Sequence, residues 1–164
     1  LCEGMIPCLV ESLVQLDFLL ILRSPVEVVI SLCKAEKISP YDALNLWIGS
    51  VFRAECMSRP YSRNILTYYQ LLNRPQAIVD SLGLNWNPSL MESRLDQATS
   101  FLRPSLYRTK VDNVRESFVA TNPELTSLLV LAEQIFDCFQ YPTPDIALTS
   151  EKLKYQWLEI LADR

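Results

Sequence analysis

Two polar residues stand where an anion would be held. Arg23 directly follows the apolar run Asp17-Phe18-Leu19-Leu20-Ile21-Leu22, and Ser24-Pro25-Val26-Glu27 directly follows Arg23. A short, continuous apolar run between turn signals reads as a strand buried on both faces, as in a parallel sheet. Ser24 suits an N-cap, Pro25 the first helical position, and Glu27 completes a capping box. Strand end, arginine and helix start therefore fall at one point of the chain. In open α/β sheets ligands bind beyond the carboxyl ends of strands. A helix N-terminus there offers free N–H groups and partial positive charge, which suit a phosphate, and the Arg23 guanidinium adds a two-pronged donor. Ser31 lies seven residues past Ser24, about two turns along the same helix face. Arg23 and Ser31 can thus reach one bound anion. The competing assignment makes Arg23 half of a surface ion pair and Ser31 a solvated helix residue.

The elements that would position these groups alternate. Residues 3–16 carry Met5, Ile6, Leu9, Val10, Leu13 and Val14 at helical spacing. The helix opened by Ser24-Pro25 buries Val26, Val29, Ile30 and Cys33. A third helix is expected from Ser39-Pro40 to about Ser58, with Leu44, Trp47, Ile48, Val51 and Phe52 inward. Asn64–Tyr69 reads as a second buried strand, and Gln76–Leu82 as a short helix stopped by Gly83. That order argues an α/β layer with a parallel sheet. After Asn87-Pro88 only helices are expected, over 88–103, 111–119, 123–140 and 150–162, with turns at Pro104, Asn122-Pro123 and Pro142-Thr143-Pro144. The expected division is an α/β part over 1–110 and a helical extension over 111–164. Glu151–Ala162 sets Leu153, Trp157, Leu158 and Leu161 on one side, which reads as a tail helix packed into the core, with partner binding as the alternative.

Composition narrows the chemistry. The chain has 164 residues, one domain's length, and a net charge of −4, which argues against non-specific nucleic-acid binding. Histidine is absent, so no Ser-His-Asp or Cys-His pair can be built from this chain, and only 3 glycines exclude a glycine-rich phosphate loop within it. The cysteines Cys2, Cys8, Cys33, Cys56 and Cys138 include no C-x-x-C pair, which argues against a zinc ribbon or redox motif and for a reducing, cytoplasmic setting. No metal is expected. No apolar stretch reaches the roughly 18 residues of a membrane span. Trp47, Trp86 and Trp157 are expected in the core rather than as a sugar-stacking platform. Asp42 and Glu55 are expected as solvated helix carboxylates rather than acceptor-orienting groups. Residues 18–75 carry seven bases against four acids, net +3, leaving −7 for the rest. The α/β part is the place to look for an anion.

The segment Leu20-Ile21-Leu22-Arg23-Ser24-Pro25-Val26-Glu27-Val28-Val29-Ile30-Ser31-Leu32 resembles the 3′-phosphate-binding segment of sulfotransferases that use 3′-phosphoadenosine-5′-phosphosulfate (PAPS). In that family an Arg at the strand end and a Ser eight residues later hold the 3′-phosphate, and Arg23 and Ser31 match in type and spacing. Asp42–Ile48, Ala54-Glu55 and Ser58-Arg59 fit the bacterial-type branch. Thr67-Tyr68-Tyr69-Gln70-Leu71-Leu72 resembles its S-Y-E-D-L-L strand, which makes Tyr68 a candidate nucleotide contact. Phe101–Leu106 resembles its late F-x-D-P-S-L segment. Tyr69-Gln70 replaces the usual acidic pair, and Arg103 stands where Asp is common.

The resemblance covers roughly residues 1–108. It implies a parallel sheet with flanking helices, related to nucleotide kinases, whose first half would precede Leu1. That half would hold the phosphosulfate loop and the catalytic base, and Leu1-Cys2 reads as the continuation of a cut segment. The implied activity is transfer of a sulfuryl group from PAPS to an acceptor hydroxyl or amine on a glycan, lipid, peptide or small molecule. The 164-residue chain alone is expected to be inactive. The alternative is a non-catalytic helical interaction module with a degenerate nucleotide-binding remnant, and a P-loop kinase ranks last. An unpaired sheet edge would favour self-association.

Overall fold

Strand β1 (Asp17–Leu22) and strand β2 (Ser62–Thr67) pair in parallel, Asp17 opposite Ser62 and Leu22 opposite Thr67. This is a computed structural model, and it describes residues 11–12, 16–74, 113–141 and 145–162. Between the strands lie helix α1 (Pro25–Glu36) and helix α2 (Pro40–Ser58). Among the described residues helix predominates, flanking this two-stranded parallel sheet. The sheet's inner side is set by register: Leu22 is buried, and Ile65, opposite Leu20, packs against the core. Leu19 and Ile21 point the other way and are 42% and 45% exposed, which corrects the expectation of a strand buried on both faces.

Helix α2 starts where the sequence indicates. Ser39 Oγ accepts from the Asp42 N–H at 3.1 Å, and Pro40 occupies the first turn. Its inward stripe of Leu44, Trp47, Ile48, Val51 and Phe52 is buried as expected. At α1 the capping box is absent: the Ser24 side chain makes no cap bond, and Glu27 turns to Arg23 instead.

The second strand has the expected length but lies two residues earlier, at Ser62–Thr67 instead of Asn64–Tyr69. Thr67 ends it and caps helix α3 (Tyr68–Asn73), accepting from the Gln70 N–H at 3.2 Å while Gln70 Oε1 accepts from the Thr67 N–H at 2.8 Å. This reciprocal box satisfies two otherwise unpaired donors. It outweighs the strand preference of Tyr68 and Tyr69.

Helix α4 (Val114–Thr121), a 3₁₀ turn (Pro123–Leu125), helix α5 (Thr126–Gln140) and helix α6 (Ile146–Ala162) follow. Helix α5 is the hub. Its Leu128, Leu129, Leu131, Ala132, Ile135 and Phe139 are buried, and it packs against α1, α2, β2 and α6, so the helices past residue 113 share one core with the sheet. Helix α6 docks through Ser150, Leu153 and Trp157. Trp157 Nε1 donates to Asn45 Oδ1 at 2.8 Å, and its ring lies 5.9 Å from that of Phe52. The tail helix thus packs into the core, but Leu158, expected on the packed side, is 45% exposed. No helix among the described residues is long and apolar enough to cross a membrane. The helices expected over Gln76–Leu82 and 88–103, the Phe101–Leu106 segment, Trp86, Cys2, Cys8 and most of the 3–16 helix lie outside the described residues.

Candidate functional site

A cavity of about 460 Å³ opens at the carboxyl ends of both strands, lined among others by Arg23, Ser24, Glu27, Thr67, Tyr68 and Gln70. Three elements hold Arg23 there. Its Nε donates to Glu27 Oε2 at 2.9 Å, one turn into α1. Its carbonyl accepts from Trp47 Nε1 of α2 at 3.2 Å. Its guanidinium carbon lies 5.3 Å from the centroid of the Tyr68 ring, at the head of α3, a cation–π distance.

The charge balance of this corner is specific. Glu27 is 1% exposed, and a buried carboxylate is costly unless a cation and hydrogen bonds compensate it. Arg23 therefore forms an ion pair, as in the competing assignment, but with a buried partner rather than a surface one. The Glu27 bond uses Nε. It does not itself consume the two terminal amino groups, the donors that suit a phosphate.

The structure brings Arg23 and Tyr68 into one cavity. Ser31 is exposed on α1 and is not among the residues lining it. Tyr68 lies in the first turn of a helix rather than in a strand, so its ring closes the cavity instead of standing off a sheet face. A second, apolar cavity of about 320 Å³ runs along β1 from Leu19 to Arg23, over Trp47, Val51 and Ala54 of α2.

Glu55 is neither solvated nor aimed at an acceptor. It is 1% exposed at the end of α2, taking Arg59 Nε and Nη2 at 3.0 and 2.7 Å and Arg63 Nη1 at 3.1 Å. Burial by itself pushes its carboxyl pKa up. The hydrogen bonds and charges of Arg59 and Arg63 outweigh burial and hold it below the usual carboxylate range. Arg59 also reaches Glu151 of α6 at 3.0 Å. This network ties α2 to β2 and α6, and so fixes the strand that leads to Tyr68. Asp42 is an exposed carboxylate in the cap of α2, as expected. Among the described residues no group of His, Cys, Asp and Glu is placed to hold a metal ion.

Sequence reasoning missed three contributors. Glu27 was readable as an i, i+4 partner of Arg23, and Gln70 as the end of a T-x-x-Q box. Trp47 was expected in the core, but nothing local signals its bond to a carbonyl 24 residues away. Comparison with protein-family models, with curated proteins and with solved structures finds no match for this chain.

Proposed function

We propose that the cavity at the strand ends is the 3′-phosphate half of a PAPS site in a sulfotransferase. The observation that carries this reading is the convergence of Arg23 and Tyr68 in one cavity at the carboxyl ends of two parallel strands, above a helix N-terminus. Its volume of about 460 Å³ falls within the roughly 300–1,000 Å³ of small-molecule sites. Arg23 supplies charge-assisted donors to the 3′-phosphate, and Tyr68 an aromatic wall beside the nucleoside. Ser31 is exposed on α1 and lies outside the lining of this cavity, so in this reading Arg23 carries the phosphate contact.

In transfer, the acceptor oxygen or nitrogen bonds to sulfur as the bond from sulfur to the 5′-phosphate oxygen breaks, and the phosphate takes the electron pair. The acceptor's proton goes to a base. Arg23 contributes by fixing the donor for in-line attack, which is positioning rather than bond-making.

The test is calorimetric binding of adenosine 3′,5′-bisphosphate, with 5′-AMP as control. Selective binding is expected. Because Arg23→Ala takes a counter-charge away from the buried Glu27, the informative variant is Arg23→Gln combined with Glu27→Gln, with circular dichroism confirming the fold. Loss of a charge-assisted phosphate contact predicts at least ~tenfold weaker binding, and in the complete enzyme an apparent KM for PAPS raised to match. Equal binding of the two nucleotides, or affinity untouched by the double variant, refutes the assignment.

A further inference from the structure

Helix α5 lies past the stretch that carries the family resemblance, yet its last turn forms part of the strand-end cavity. Phe136 and Gln140, four residues apart and so on one side of the helix, line that cavity together with Arg23 and Tyr68. Phe136 is packed against the core, and Gln140 is half-buried at the end of the helix. The cavity therefore combines a cation at Arg23, aromatic rings at Tyr68 and Phe136, and a side-chain amide at Gln140. These suit an anionic group, the faces of a flat ring and the polar edge of that ring.

A neighbour orients the amide. Gln140 Nε2 donates to the hydroxyl of Tyr141, the next residue, at 3.2 Å. That bond sets the nitrogen toward Tyr141 and uses one of its two hydrogens. The second N–H and the carbonyl oxygen Oε1 remain, and among the described residues neither takes another partner. An acceptor beside a donor matches the 6-amino group and N7 of adenine, the pairing by which Gln side chains recognise that base. A 6-oxo purine, hypoxanthine or guanine, instead sets a carbonyl against Oε1, two acceptors with no proton between them. We infer that Gln140 is the base-reading residue of this cavity. Its Oε1 accepts from the 6-amino group of an adenine nucleotide and disfavours 6-oxo purines, and Tyr141 is the positioning residue that fixes the amide. This rests on the nucleotide reading of the cavity and adds to it a specificity determinant from α5.

Calorimetric titration of the full chain with adenosine 3′,5′-bisphosphate and with inosine 3′,5′-bisphosphate tests it, because the two ligands differ only in the base. The wild type is expected to bind the adenosine form at least ~fivefold more tightly, the low end of what a well-paired amide contributes to telling bases apart. Gln140→Leu, close in size, should bring the two affinities within ~twofold by weakening the adenosine form. The preference for adenosine 3′,5′-bisphosphate over 5′-AMP should survive that substitution, since Arg23 is untouched. Tyr141→Phe frees the amide to turn and should narrow the gap by admitting the inosine form. Equal binding of the two bisphosphates by the wild type, or discrimination that survives Gln140→Leu, overturns the inference and leaves the Arg23 phosphate contact standing. Discrimination undiminished in Tyr141→Phe overturns the positioning role. Binding of neither bisphosphate overturns the nucleotide reading and this inference with it.

Discussion

Replacing Glu55 by Gln should cost about 3 kcal/mol of stability while leaving the side chain's shape intact. The figure starts from the 3–5 kcal/mol lost when one partner is removed from a buried ion pair. The low end applies because the two arginines are unequally stranded. Arg59 is 35% exposed and keeps Glu151, whereas Arg63, at 16%, is left with the Glu55 carbonyl and the Ser58 hydroxyl. For a chain of this size, about 3 kcal/mol lowers Tm by roughly 6–12 °C. Urea unfolding followed by circular dichroism, with calorimetry for Tm, reads it directly. The exposed Arg115–Glu133 pair, at 46% and 29%, is the internal control, and Glu133→Gln should cost under ~1 kcal/mol. The pH dependence has a definite sign. The folded carboxyl of Glu55 titrates below its unfolded value of about 4.3. Its contribution is full above that value and is lost as pH falls through the folded pKa. The gap between wild type and variant should therefore be widest near neutrality and close in acid. A loss below ~1 kcal/mol, or a gap unchanged by acid, would refute the claim that this network holds α2, β2 and α6 together.

Gly49 sits under the indole of Trp157, where an added Cβ would lie 3.3 Å from Cη2. Gly49→Leu should displace the ring and lose about 1–3 kcal/mol, while Gly49→Ala, which gains up to ~1 kcal/mol of helix propensity, should come out near neutral in urea titrations. If leucine is tolerated as well as alanine, α6 does not dock as described. Among the thiols, burial pushes Cys138 up, with the Glu55 charge adding to it, and burial raises Cys33 as well, whereas Cys56 is exposed. Peptide mapping after brief alkylation near pH 8 should find Cys56 modified well before Cys138, since Cys56 is exposed while burial both shields the Cys138 thiol and keeps it protonated. Labelling of Cys138 at an equal rate would contradict its placement on α5 beside the Glu55 network.

What was legible in the sequence was whatever a few adjacent residues decide. The apolar run ending at Leu22, the Ser39-Pro40 start and the inward stripe of α2 are local patterns, and all three stand where the sequence puts them. Contacts that join distant parts have no such signature. Trp157 meets Asn45 across 112 residues, and the exposed side of β1 follows from which helices pack on the sheet, which periodicity does not encode. Glu27 falls between these cases and explains why the site was half read. A carboxylate three residues past Ser24 can complete a helix cap, and the same carboxylate four residues past Arg23 can take its guanidinium. Burial decides between them. At 1% exposure the carboxylate needs a full counter-charge, which a backbone N–H cannot supply and Arg23 can. The cap is forgone, and Arg23 is drawn down beside α1 with its guanidinium against Tyr68. The same choice that spoiled the local expectation is what orients the candidate phosphate donor.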